Sequence, residues 1–185
     1  MRVISGEFRG MNLYAPKDRE IRPTTDRIKE DLFNIISPYV PESVFLDLFA
    51  GTGSIAIEAV SRGAKRAILV ENGRESLSLI KKNLEKTKKA GEFQVVRSDV
   101  VRFLLTTRDK YDIIFLDPPY AYPGAEQLLR LIDERELICE DGMLVIEQGK
   151  EARLPEEVGR LSLVKTKTYS LTKMHFYKRL AKEPL

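Results

Sequence analysis

The sequence is poor in the residues that many enzymes use for metal binding and proton transfer. Its 185 residues include one cysteine, Cys139, and one histidine, His175. This scarcity excludes internal disulfides, a Cys/His zinc cluster and most catalytic triads, so we predict no metal site. Any catalysis must therefore use carboxylates, hydroxyls, backbone groups or a bound cofactor. We expect His175, which lies in a predicted terminal strand, to be structural.

Long apolar runs are also absent. No stretch approaches the roughly 18 apolar residues that a membrane helix needs, and the start MRVISGEFRG has no apolar signal core. We therefore expect a cytoplasmic protein without a membrane partner. A chain of 185 residues, 43% hydrophobic and 32% charged, fits one globular domain or one domain with a small appendage. The net charge of +3 permits nucleic acid binding without demonstrating it.

The order of apolar runs predicts an α/β fold. From about Val44 onward, short apolar runs alternate with longer amphipathic ones, which is typical of parallel strands joined by helices. We predict five such strands, followed by two antiparallel edge strands in LSLVKTKTYSLTKMHFYKR. Ahead of them, MRVISGEFRGMNLYAP predicts a small hairpin, and RPTTDRIKEDLFNIISP predicts a helix with Thr25 as its cap.

Acidic residues end four successive predicted strands. They are Asp47, Glu71, Asp99 and Asp117. The first strand continues into DLFAGTG, whose two glycines allow a sharp turn and close approach of a ligand to a helix start. This loop lacks both the lysine of a triphosphate cradle and the third glycine of a dinucleotide loop. Because strand ends of a parallel sheet form one rim, the acids favour S-adenosylmethionine, a cationic nucleoside without phosphate. Each acid alone could instead be a helix cap.

The stretch IFLDPPYAYPG places Asp117, Pro118, Pro119 and Tyr120 after the fourth predicted strand. An exocyclic base amine is a poor nucleophile, since its lone pair is delocalised into the ring. Asp117 and the Pro118 carbonyl can each accept one amine hydrogen, and the prolines hold these acceptors in place. Tyr120 can stack on a base taken out of its helix. The alternative is that the prolines merely end the strand and Tyr120 packs on the loop.

These motifs carry a resemblance to a known family. In this order, DLFAGTG, VEN, SDV and DPPY resemble the motifs of amino-methyltransferases. The segments RVISGEFRG, RPTTDRIKEDLFNII, DLFAGTGSIAIEAVSRGA and FLDPPY narrow the resemblance to the bacterial 16S ribosomal RNA guanine-N2 methyltransferases, the RsmD-like proteins. It covers nearly the whole chain, with departures at Met11, where the family usually has a basic residue, and Ser170, where it usually has glycine.

The resemblance implies a fold and a domain division. The expected fold is a doubly wound, mostly parallel, seven-stranded Rossmann-like methyltransferase sheet with an antiparallel C-terminal edge and a small N-terminal hairpin and helix appendage. We divide the chain into a hairpin extension at residues 1–22 and an S-adenosylmethionine-dependent methyltransferase domain at residues 23–185.

The resemblance also implies roles for individual residues. Catalysis is expected from Asp117, Pro118, Pro119 and Tyr120. Cofactor binding is expected from Asp47, Phe49, Ala50, Gly51, Thr52, Gly53, Glu71, Asn72, Asp99, Val100 and Asp117. Substrate contacts are expected from Arg2, Arg9, Arg22, Thr24 and Tyr120.

The implied partner is ribosomal RNA, either naked or within a partly assembled small subunit, and we expect a monomer. Two other functions stay open at this point. A DNA adenine-N6 or cytosine-N4 methyltransferase would share Asp-Pro-Pro-Tyr, although the chain leaves little room for a DNA recognition domain. A non-catalytic RNA-binding assembly protein could retain the fold.

Overall fold

The computed structural model describes residues 1–17 and 26–181, which contain five α-helices and eight strands. The helices are α1 (Asp26–Ile36), α2 (Ser54–Ser61), α3 (Arg74–Thr87), α4 (Val100–Thr106) and α5 (Ala125–Glu134). The strands are β1 (Val44–Leu48), β2 (Arg66–Glu71), β3 (Phe93–Arg97), β4 (Tyr111–Leu116), β5 (Ile138–Gly149), β6 (Glu157–Val158), β7 (Leu161–Thr168) and β8 (Thr172–Arg179). None of the helices in these ranges is long and apolar enough to cross a membrane.

The strands form one sheet in the order β3-β2-β1-β4-β5-β8-β7-β6. Strands β1 to β5 pair in parallel, and β8 runs antiparallel to β5. The predicted doubly wound, mostly parallel sheet with an antiparallel C-terminal edge is confirmed. The expected count of seven strands misses β6, whose two residues pair with Leu161 and Ser162 and are too few to produce a periodic pattern.

Apolar layers cover both faces of the sheet. On one face, α1 and α2 pack against β1, β4 and β5 through residues such as Phe33, Ala56 and Phe115. On the other, α4 and α5 pack through residues such as Leu104 and Leu129. All eight residues of α2 are buried, so this helix has no exposed polar face. Helix α4, a seven-residue helix capped by Asp99, was not predicted from the sequence.

The predicted N-terminal hairpin is present and is held against α2. Its two arms are joined by hydrogen bonds from Val3 N to Met11 O at 3.0 Å and from Gly10 N to Val3 O at 2.9 Å. Val3 and Leu13 pack on Ile57 of α2. The domain boundary placed at residues 22/23, and the expected cap Thr25, lie outside the described residues.

A buried charged group fixes this hairpin. Glu58 of α2 is fully buried and accepts hydrogen bonds from Ile4 N at 2.8 Å and Ser5 N at 3.0 Å. The same carboxylate pairs with fully buried Lys29 of α1 at 3.4 Å and with Arg62 at 2.8 Å. Burial lowers the pKa of Lys29, and the nearby Glu58 carboxylate partly offsets this lowering. One side chain therefore joins the hairpin, α1 and α2.

Removing this carboxylate should strongly destabilise the protein. Glu58→Ala leaves a buried lysine unpaired and two backbone N–H groups without their acceptor, so we expect the free energy of unfolding to fall by about 3–5 kcal/mol. Urea denaturation followed by circular dichroism measures the change. The matched control is Glu126→Ala, which breaks an exposed i,i+4 pair with Arg130 and should cost about 0–1 kcal/mol. Equal losses in the two variants would contradict this account.

Candidate active site

The loop after β1 turns the chain sharply into α2. Gly51 and Gly53 have φ angles of +59° and +79°, and Phe49 also has a positive φ of +61°. A Cβ at Gly53 would lie 3.1 Å from Leu69 Cδ2, so the loop backbone rests closely on the sheet and on α3. Both glycines are thus required by the left-handed backbone, and a larger residue at Gly53 would also press against the core.

Asp47 lies behind this loop. Its side chain is 1% exposed, and its Oδ2 accepts a hydrogen bond from Ala56 N, in the first turn of α2, at 3.2 Å. Burial holds the pKa of Asp47 well above its usual range, with further contributions from Asp117 and Glu71 that the Ala56 bond opposes. Asp47 therefore ties β1 to the start of α2.

Glu71 ends β2 and joins two loops. One oxygen accepts from Gly51 N at 2.9 Å, and the other accepts from Asn72 N at 2.9 Å and Gly73 N at 2.8 Å. Three backbone donors fix this carboxylate at the rim of the sheet, where it is partly exposed. Its orientation is therefore set before any ligand arrives.

Asp99 adopts the capping role that the sequence left open as an alternative. Its Oδ1 accepts from Arg102 N at 3.1 Å at the start of α4, while the residue stays exposed at the rim. Val100 is buried in the core below it. The cap uses one carboxylate oxygen, which leaves the second oxygen for another donor.

Asp117 follows β4 directly, and its N–H donates to Leu48 O of β1 at 3.4 Å. Pro118 is buried, whereas Pro119 and Tyr120 are exposed, with Tyr120 87% exposed. The carbonyl of Pro119 accepts from Tyr122 N at 3.0 Å and closes a turn. The prolines thus do end the strand, and the turn that they form projects the Tyr120 ring to solvent beside the rim.

Two contributors to this site were not found from the sequence. The ring of Tyr122 meets that of Phe49 edge to face at 5.4 Å and so links the Asp-Pro-Pro-Tyr turn to the glycine loop. Glu147 lies near the C-terminal end of β5 and is 6% exposed. The parallel register of β4 and β5 places it next to Asp117. Burial raises the pKa of Glu147, and burial together with Glu147 raises the pKa of Asp117 to about 8.

The expected RNA-contacting residues fall into two groups. Arg2 pairs with Asp26 of α1 at 3.3 Å, and Arg9 is exposed on the hairpin. Met1 Sδ lies 3.8 Å from the hydroxyl of Thr52, so the hairpin begins beside the glycine loop. Arg22 and Thr24 lie outside the described residues.

His175 is 5% exposed within β8, and since its neighbours Met174 and Phe176 pack on the α1/α2 face, it points to the other face.

The sheet order and the acidic rim beside a glycine loop define the Rossmann-like methyltransferase class of fold. The solved structure of yhhF from Escherichia coli, provisionally named a methyltransferase, matches with a TM-score of 0.88 at 34% identity, and the match covers 98% of this chain and 99% of that one. A methylase structure from Haemophilus influenzae matches with a TM-score of 0.81 at 32% identity, covering 97% and 98%.

The chain belongs to the family described as conserved hypothetical protein 95, whose model matches residues 1–178. It is 42% identical over 182 residues to YlbH of Bacillus subtilis, named provisionally as an rRNA methyltransferase, covering 97% of this chain and 99% of that protein. It is 34% identical to ribosomal RNA small subunit methyltransferase D of Escherichia coli, covering 98% and 91%. The RsmD-like resemblance is confirmed, and with it a methyltransferase of the rRNA-modifying kind.

The raised pKa of Asp117 should be visible in the stability of the protein. The pKa of an aspartate side chain is ordinarily 3.8, and that of Asp117 in the folded protein is about 8. Between these two pH values the folded state binds the Asp117 proton more tightly than the unfolded chain does, so the free energy of unfolding falls as the pH rises. Asp117→Asn removes the titrating group. In this variant the slope of the unfolding free energy against pH should be less negative by up to about 1.4 kcal/mol per pH unit. Urea unfolding at several pH values between 5 and 8 measures both slopes.

The control for loss of a charge is Asp109→Asn, which removes an exposed carboxylate 3.7 Å from Arg66. Parallel curves for wild type and Asp117→Asn would show that Asp117 ionises at its ordinary pH in the folded protein.

Proposed function

We propose that this protein transfers a methyl group from S-adenosylmethionine to the exocyclic N2 amine of a guanine in small-subunit ribosomal RNA. The observation that carries the proposal is the placement of Asp117 and Tyr120, a partly buried acceptor and an exposed ring, at the crevice between the loops of β1 and β4. Small-subunit RNA as substrate follows from the names of the relatives. Guanine N2 follows from the resemblance of the motifs.

The rim residues fit this cofactor. Among the described residues, the glycine loop carries no lysine for a phosphate, while Asp47, Glu71 and Asp117 bring carboxyl groups to the rim. Burial raises the pKa of Asp47 and of Asp117, and a sulfonium cation nearby would favour their ionised forms. Glu71, already oriented by three amides, can accept from ribose hydroxyls, and the second oxygen of Asp99 can accept from the adenine amine. When bound, S-adenosylmethionine supplies an activated methyl group to an attacking nitrogen.

The protein's own contribution to catalysis is positioning and electrostatics. Asp117 and the Pro118 carbonyl each accept one hydrogen of the amine, which favours a pyramidal nitrogen with its lone pair free. The ionised form of Asp117 is the better acceptor, and a neighbouring cation favours that form. Tyr120 holds the extruded base by stacking, and the Tyr122–Phe49 contact fixes the turn relative to the glycine loop.

On the substrate side, we assign RNA backbone contacts to Arg2 and Arg9 of the hairpin and to Arg22 and Thr24 of the segment that follows it. Arg2 is available because its side chain is 63% exposed despite its pair with Asp26. The enzyme acts as a cytoplasmic monomer, on naked RNA or on a partly assembled small subunit.

Loss of the amine acceptor should abolish catalysis. Asp117→Ala is expected to reduce transfer of tritium from methyl-labelled S-adenosylmethionine into small-subunit RNA to background, since one amine hydrogen loses its acceptor. RNA affinity, measured by filter binding, should stay largely intact. Digestion of the RNA and mass spectrometry of the nucleosides should identify the wild-type product as N2-methylguanosine. Near-normal turnover by Asp117→Ala would refute the role of Asp117.

The same assay separates the competing functions. Incorporation into DNA but not RNA would favour a DNA amino-methyltransferase. Normal binding of S-adenosylhomocysteine in calorimetry, with no tritium entering either nucleic acid, would favour a non-catalytic assembly protein. Binding of NAD instead of S-adenosylhomocysteine would overturn the cofactor assignment.

The stacking role of Tyr120 predicts a ring-dependent effect. Tyr120→Ala should lower kcat/KM for RNA by a factor that corresponds to about 1–3 kcal/mol, the value typical of base–aromatic stacking. Tyr120→Phe keeps the ring and removes only the hydroxyl, so it should retain nearly full activity. Steady-state kinetics with RNA as the varied substrate measures both. Equal losses in the two variants would assign the effect to the hydroxyl group and contradict stacking.

A further inference from the structure

Glu147 is a buried carboxylate that the fold does not use. It is 6% exposed, and its Oε2 has no hydrogen-bond partner among the described residues. No ion pair of Glu147 occurs in the described ranges either, whereas buried Glu58 has two. Hydrogen bonding from the Thr172 hydroxyl opposes the rise in the pKa of Glu147, but a buried acid without a cationic partner destabilises a protein. Its placement is therefore not explained by packing or by stability.

Glu147 and Asp117 face the same space. Phe115 pairs with Val145 and Leu116 with Ile146 in the parallel register of β4 and β5, so the next residues on the two strands are Asp117 and Glu147. Neighbouring strands lie about 4.8 Å apart, and side chains at matching positions share a face. The interaction of Glu147 with Asp117 raises the pKa of Asp117, which agrees with this proximity.

The stacking residue lies over the same strand. A Cβ added at Gly149 would be 2.9 Å from Tyr120 Cε2, so the Tyr120 ring rests on the Gly149 backbone. Glu147 and Gly149 are two residues apart on β5 and face the same side. Tyr120 therefore lies beside the end of β5 that carries Glu147.

On this geometry, and resting on the function proposed above, we propose that Glu147 accepts the ring N1–H of the target guanine, beside the amine that Asp117 accepts. In guanine the N1–H group neighbours the N2 amine, so two adjacent acceptors match two adjacent donors. In adenine N1 is itself an acceptor and would be opposed to the carboxylate. Glu147 is then the residue that selects the base, whereas Asp117 acts on the reacting amine.

The groups around Glu147 agree with this role. Asp117 faces it from β4, the Thr172 hydroxyl from β8, and Tyr169 from the turn before β8, and none of these is a cation. Lys167, a cation of β7, is paired with Asp31 of α1 at 2.9 Å. The N–H donors of a base are therefore the complement that this carboxylate lacks.

The test uses small-subunit RNA in which the target guanine, once mapped, is replaced by 2-aminopurine, which keeps the 2-amine but has no N1–H. The wild-type enzyme should prefer guanine by about tenfold to a hundredfold in kcat/KM. Glu147→Gln can donate to the bare N1 of 2-aminopurine, so this preference should collapse or invert. The matched control is Glu140→Gln, an exposed glutamate on the same strand, which should keep the wild-type preference.

Three results would overturn the proposal. The first is a Glu147→Gln variant with an unchanged preference. The second is a variant whose affinity for S-adenosylhomocysteine, measured by calorimetry, falls in step with its activity, which would assign Glu147 to the cofactor. The third is a wild-type enzyme that methylates 2-aminopurine as well as guanine. This measurement needs no variant, so it tests the proposal even if Glu147→Gln fails to fold. If wild type methylates no guanine in RNA at all, the proposed function itself fails, and that outcome is distinct from the other three.

Discussion

The parallel pairing of β1 with β4 is the constraint on which the site depends. These strands are neighbours in the sheet, but their connections run to opposite sides, β1 to α2 and β4 toward α5. The two loops that leave them must therefore diverge and open a crevice at the carboxyl edge. The glycine loop forms one wall of that crevice and the Asp-Pro-Pro-Tyr turn the other, with the rings of Phe49 and Tyr122 in contact across it. A different strand order would separate these two motifs.

The same constraint brings like charges together. Asp47, Asp117 and Glu147 come from three adjacent strands, and burial raises the pKa of each. In the unliganded protein this arrangement costs stability, because a buried carboxyl either holds a proton or stays uncompensated. In the proposed reaction, a sulfonium cation and the N–H groups of a base would supply the missing complement. Interactions that destabilise the unliganded rim would then become favourable when cofactor and base bind together.

The sequence predicted the parts of this structure that depend on local pattern. Periodic apolar runs located the seven longer strands, and turn-forming Gly51, Gly53 and Pro118 located the two loops. It missed β6 and α4, which are too short for a clear period. Glu147 was missed for another reason: no local motif marks it, and only the β4–β5 register places it beside Asp117.

The N-terminal hairpin is joined to the cofactor side of the molecule by the helix that follows the glycine loop. Ser54 at the start of α2 accepts a hydrogen bond from Lys29 at 3.2 Å, and Glu58, one turn later, holds the hairpin. Lys29 also donates to the carbonyl of Arg2, and Met1 contacts the hydroxyl of Thr52, so the hairpin is held against both α1 and the glycine loop. Because α2 has no solvent-facing side, it cannot shift without disturbing the core. The hairpin and the glycine loop are therefore parts of one rigid frame.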